Sequence, residues 1–167
     1  MNNSSTQTLL LNDITQDELL KLLTRYGLTL IIGNIQTDIP GSFWGDEEAG
    51  LIANQVFARP DTPIHSVLHE SCHYICMNQP RRLQLHTNAG GSANEENAVC
   101  YLQILLADEL SFIDREKMMH DMNSWGYSFR LGSAQAWFES DAEDTRQWLL
   151  NHRLINQNNN VTFNLRT

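Results

Sequence analysis

Asp61-Thr62-Pro63-Ile64-His65-Ser66-Val67-Leu68-His69-Glu70-Ser71-Cys72-His73-Tyr74-Ile75-Cys76 is the stretch on which the reading of this chain turns. Thr62 or Asp61 can cap a helix, and Pro63 suits its first position because a proline there forfeits no needed hydrogen bond. The apolar residues Ile64, Val67, Leu68, Cys72 and Ile75 then recur at three- and four-residue intervals, which predicts a helix with one stripe turned to a core. Beside that stripe, His69 and His73 project from a common face, and Glu70 stands on its flank. Two neutral imidazoles at this spacing hold a zinc ion. A third protein ligand must come from elsewhere, and a fourth position is left to water, whose proton Glu70 is placed to accept. His65 adds a third rung. At about 1.5 Å rise per residue it lies roughly 12 Å along the axis from His73, too far for one ion with bonds of about 2.1 Å to join both. Only the pair His69 and His73 encloses a glutamate, so these two are the expected ligands. His65 is expected at the rim of the cleft, as an ordinary polar residue of the first turn or a neighbour of substrate.

The third ligand is sought downstream. A polar stretch with Gly90-Gly91 leads into a helical run from 95 to 110 that opens with Glu95-Glu96-Asn97-Ala98. Glu95 is the first choice, with Glu96, His86 and the His120-Asp121 pair also open. Ser92 and Glu95 are spaced as a capping box, which competes for the Glu95 side chain, and two acids in a first turn also suit the helix dipole without any ligand role.

These motifs resemble the gluzincins, metallopeptidases that join HExxH on one helix to a glutamate on the next. Gly90-Gly91 followed by Asn94-Glu95 is similar to the entry of the gluzincin ligand helix, and Glu95-x-x-Ala98-x-x-Tyr101 resembles that of ImmA/IrrE-type minigluzincins. The resemblance covers roughly residues 50–110. It departs from the larger gluzincins at Val99, where many carry an aspartate, and at Cys72, bulkier than the usual residue before the second histidine. The whole chain also looks like a bacterial metallopeptidase family with no substrate assigned to it. The resemblance implies a zinc-dependent hydrolase acting on peptide bonds, with one Zn2+ and a peptide or protein substrate. The contrasting expectation is a non-catalytic zinc-binding domain that holds a partner protein or peptide.

Length and composition frame this reading. A chain of 167 residues with 41 % hydrophobic content suits one core. The expected class is α+β: a zincin-like domain over residues 13–155, with a small, mostly antiparallel sheet packed on the HExxH helix and the ligand helix. Residues 1–12 read as disordered, and residues 156–167 as an Asn-rich tail with a last strand at 161–165. Strands are expected at 28–32, 42–44 and 51–59; the resemblance to zincins implies an edge strand for extended substrate, at 51–59 or a neighbouring strand. Helices are expected at 15–26, 112–122, 134–138 and 141–153. A net charge of −9, from 11 basic and 20 acidic residues, argues against nucleic acid or an anionic membrane as partner. No apolar run approaches the ~18 residues of a membrane span. The first residues lack the basic start and apolar core of an export signal, and three cysteines suit a reducing compartment, so a cytoplasmic location is expected. Cys72 and Cys76 read as buried, unreactive thiols. Around Trp125 to Ser133 aromatics gather among glycines. Tyr127 or Arg130 could there donate to an oxyanion, against the simpler reading that the aromatics pack the domain.

Overall fold

The computed structural model describes residues 7–42, 47–85 and 90–167. Among them are seven α-helices and a three-stranded mixed sheet: α1 (Asp17–Arg25), β1 (Thr29–Ile32), β2 (Gly50–Ile52), β3 (Gln55–Ala58), α2 (Ile64–Cys76), α3 (Gln79–Leu83), α4 (Ala93–Ala107), α5 (Arg115–Trp125), α6 (Ala134–Ser140) and α7 (Glu143–Asn151). No helix among the described residues is long and apolar enough to cross a membrane.

The sheet order is β1-β3-β2, with β1 parallel and β2 antiparallel to β3. This corrects the expectation of a mostly antiparallel sheet. The single strand expected over 51–59 is a hairpin, reversed at Ala53-Asn54 with Ala53 in the left-handed region at φ 53°. The sequence signal was weak because neither residue is glycine, the usual occupant of such a turn. The fold also makes β3 the central strand rather than an edge. On β2 the outer edge meets the chain before it, Leu51 N–H donating to the Gly41 carbonyl at 3.4 Å. The expected strand at 42–44 lies mostly outside the described residues.

Helix α2 begins one residue later than the sequence suggests, with Pro63 as its extended N-cap. Thr62 does not cap it. Its hydroxyl accepts the Arg59 N–H at 2.8 Å, where β3 ends, while the Ile64 N–H donates to the Leu9 carbonyl at 2.9 Å. Residues 7–13 are therefore part of the fold: Leu10 bridges to Pro63, and Leu11 is wholly buried. Three consecutive leucines, each worth about 1.5–3 kcal/mol when covered, explain why this polar-looking flank docks.

Helix α4 is the centre of the molecule. Every residue from Ala98 to Ala107 is buried, and α2, α5 and α7 pack around it. Ser92 starts it by accepting the Glu95 N–H at 3.2 Å. At the far end of the chain, Ile155 bridges to Val161 and the Arg166 N–H donates to the Ile75 carbonyl at 3.0 Å, so residues 161–166 lie against the end of α2 rather than forming a regular strand.

Candidate metal centre

Two adjacent helices, α2 and α4, bring three ligand-type side chains to a point. His73 Nε2 stands 3.1 Å from His69 Nε2, one turn of α2 apart. Glu96, in the first turn of α4, places Oε1 at 3.2 Å from His69 Nε2 and Oε2 at 3.5 Å from His73 Nε2. Tetrahedral zinc with bonds of about 2.0–2.1 Å separates neighbouring ligand atoms by roughly 3.3 Å. The imidazole separation and the distance from each imidazole to its nearer carboxylate oxygen lie close to that value, so these side chains are near enough to share such an ion. Cys100 joins the group: its sulfur and the ligand atoms of His69 and Glu96 lie within 4.8 Å of one another.

Glu95, the first choice from sequence, is placed elsewhere. It is turned about 100° around the helix from Glu96, and its carboxylate, with the side chain 3 % exposed, accepts from Arg81 and Arg166. Ser92 and Glu95 form half of the capping box; the Glu95 carboxylate is held by the arginines. His86 lies outside the described residues. Asp121, of the His120-Asp121 pair, is buried against Lys117 Nζ at 2.8 Å and the Leu9 N–H at 3.0 Å. Arg130 is exposed and engaged with Asp141.

A residue the sequence reading did not single out orders the centre. Gln103 is fully buried, and its Nε2 donates to the His65 carbonyl at 2.8 Å. A carbonyl only accepts, so Gln103 must present Oε1 to His69 Nδ1 at 2.9 Å, and His69 is the donor there. With a proton fixed on Nδ1, Nε2 is the nitrogen that faces the triangle and would give up its own proton to a metal, the arrangement by which outer partners set the tautomer of metal-binding histidines. A signal existed: Glu96, Cys100 and Gln103 fall at i, i+4 and i+7 on one face of α4.

The electrostatics follow from enclosure. Burial holds His73 down to about 4, with the His69 charge acting in the same direction, so its imidazole is neutral and able to bind metal. For His69 burial also opposes charge, but Tyr127, Cys100 and Glu96 outweigh it and lift the group well above its usual value. Burial would raise Glu96, yet the hydrogen bond with His69 and the electrostatic influence of the two histidines beside it bring it below the usual carboxylate range. Burial pushes Glu70 up to about 7, opposed by His69 and assisted by Glu96 and Glu48.

His65 is not at an exposed rim. It is 2 % exposed, held down to about 3 by burial, and its Nδ1 lies 3.2 Å from the Tyr127 hydroxyl. Tyr127 also stands edge-on to His69, ring centres 5.4 Å apart, and its hydroxyl lies 3.5 Å from Gln103 Nε2. Trp125 completes this wall against His65 and donates its Nε1–H to Glu48 at 3.1 Å. Cys72 and Cys76 are fully buried thiols pushed upward by burial.

No protein-family model, curated protein or solved structure matches this chain. The geometry therefore stands by itself: a small α+β protein with a His/Glu/Cys group spaced to bind a metal ion.

Proposed function

We propose that this chain is a zinc-dependent hydrolase of peptide bonds, with His69, His73 and Glu96 holding the ion and Glu70 moving the proton. The observation that carries the reading is the triangle of two Nε2 atoms and one carboxylate with separations of 3.1, 3.2 and 3.5 Å. A zinc ion bound there supplies Lewis-acid polarisation of a carbonyl and an acidified water. Glu70 follows His69 in sequence, and its enclosed carboxyl, raised by burial in the metal-free fold, would take a proton from the water and return it to a leaving amine. Gln103 holds the Nδ1 proton of His69, so Nε2 is the nitrogen that would bind the ion. Tyr127 shapes the wall beside His69; acting as an oxyanion donor would require its hydroxyl to leave His65. The peptide substrate is part of the proposal and rests on the HExxH-plus-glutamate pattern.

Protein purified without chelator should carry one zinc, and a peptide-library screen should show cleavage. Glu70→Gln should keep the metal and lose activity by about 10²–10⁴-fold, the usual worth of a positioned acid–base group. Undiminished cleavage by that variant would refute the mechanism.

Cys100 favours one other reading. Its sulfur, close to His69 and Glu96, could supply a fourth ligand and close the site, as in structural zinc domains. Replacing zinc with cobalt(II) separates the two: a sulfur-to-cobalt charge-transfer band, lost in Cys100→Ser, identifies the closed site.

A further inference from the structure

Glu95 is surrounded by more cationic contacts than a helix cap needs. Ser92 already accepts the Glu95 N–H, so the carboxylate is not required for capping. Arg81 Nη1 nonetheless approaches its two oxygens at 2.6 and 2.9 Å, and Arg166 Nη1 reaches Oε1 at 2.9 Å. The loop before α4 is shaped to admit this pairing. A Cβ at Gly91 would fall 1.8 Å from Glu95 Oε2, and Arg81 Nη2 donates to the Gly90 carbonyl at 3.0 Å.

Arg166 does more than neutralise an acid. The same Nη1 donates to the Cys76 carbonyl at 3.1 Å, its backbone N–H holds the Ile75 carbonyl at 3.0 Å, and its guanidinium lies 5.0 Å from the Trp148 ring centre. Its own carbonyl accepts from Arg82 Nη2 at 2.5 Å. One side chain thus joins the last turn of α2, a single turn beyond His73, to the first turn of α4, one residue before Glu96. Buried ion pairs are weak sources of net stability, and their best-attested use is to fix register.

We infer that Arg166 is a positioning residue of the metal centre: by tying the Cys76 carbonyl and the Glu95 carboxylate to one guanidinium, it sets the separation of α2 and α4 at which Glu96 meets His69 and His73. This rests on the reading of those three residues as ligands. The role is that of an outer partner, whose loss weakens metal binding about 10–100-fold.

The test is zinc titration of the full chain against a competing chelator, read with the visible spectrum of the cobalt(II) form and the urea melt of the metal-free protein. Wild type should take up one zinc. Arg166→Met should bind it about 10–100-fold more weakly and give an altered cobalt spectrum while remaining folded under assay conditions, and Arg166→Lys should fall between. Glu95→Gln should weaken zinc about tenfold, and the double variant should lose less than the sum of the two effects, because both act through one contact. If Arg166→Met does not fold, Glu95→Gln decides by the same readings. Wild-type affinity and cobalt spectrum in Arg166→Met and Glu95→Gln, with only the melt shifted, would overturn the inference and leave the ligand reading standing. A wild-type chain that takes up no zinc would remove the ligand reading and the inference together.

Discussion

Replacing Gln103 by Leu, close to it in volume, tests whether the buried amide orients the centre. The change removes the acceptor of the His69 Nδ1–H, a contact of 2.9 Å inside the fold, and the donor to the His65 carbonyl at 2.8 Å. That carbonyl retains its partner within α2, so most of the cost falls on His69. An unsatisfied buried donor costs about 1–3 kcal/mol. At about 2–4 °C per kcal/mol for a chain of this size, a loss near 2 kcal/mol lowers the melting temperature by ~4–8 °C. Metal binding suffers separately, because His69 is then free to carry its proton on Nε2, the atom facing the triangle; the expected loss is about 10–100-fold in zinc affinity. Gln103→Glu supplies the contrast. Its carboxylate still accepts from Nδ1 and should hold zinc at least as tightly as wild type, although the His65 carbonyl loses its donor. The assay is competition for zinc alongside thermal melts of the metal-free proteins. Equal zinc affinity in wild type and Gln103→Leu would refute the argument.

Two further perturbations separate the neighbouring acids and the buried imidazoles. Glu96→Ala should remove stoichiometric zinc while moving the melting temperature little, since the Glu96 side chain is 45 % exposed; Glu95→Ala, which takes the shared carboxylate from two partly exposed arginines that keep their carbonyl partners, should lower stability in a denaturant melt by less than the ~3–5 kcal/mol of a fully buried pair. A reversed pattern would return the ligand role to Glu95. His65, neutral in the fold down to about 3, takes its proton in the unfolded chain near 6.5, so its contribution to stability is present at neutral pH and is lost as pH falls between those values. Glu70, raised to about 7, acts with the opposite sign, losing stability as pH rises from its unfolded value toward 7. Comparison with His65→Asn isolates the histidine: below pH 6.5, each unit of acid should cost wild type about 1.4 kcal/mol more than the variant. Parallel stability curves would show that His65 does not titrate this way.

The helices were legible because their signals are local. The stripe from Ile64 to Ile75 is written within α2, Ser92 starts α4 as its position suggests, and Gly27, at φ 75°, follows α1 where a stop was expected. What escaped depends on partners far along the chain. The parallel register of β1 on β3 has no signal inside either strand. Glu95 and Glu96 are equivalent as text; Arg166, 71 residues away, holds Glu95, so the two cannot be told apart from their surroundings in sequence. Gln103 was passed over because apolar periodicity says nothing of a polar residue enclosed in an apolar helix. Leu11 was missed because the composition of residues 1–12 masks three leucines.

The triangle is unevenly covered: the side chains of His69 and His73 are 17 % and 8 % exposed, whereas that of Glu96 is 45 % exposed. An ion bound there would therefore pass beside the carboxylate, the most exposed of the three side chains. Release should begin with that arm, leaving the ion on two imidazoles and open to a small chelator, so exchange rates will report the mobility of Glu96 rather than the unfolding of either helix.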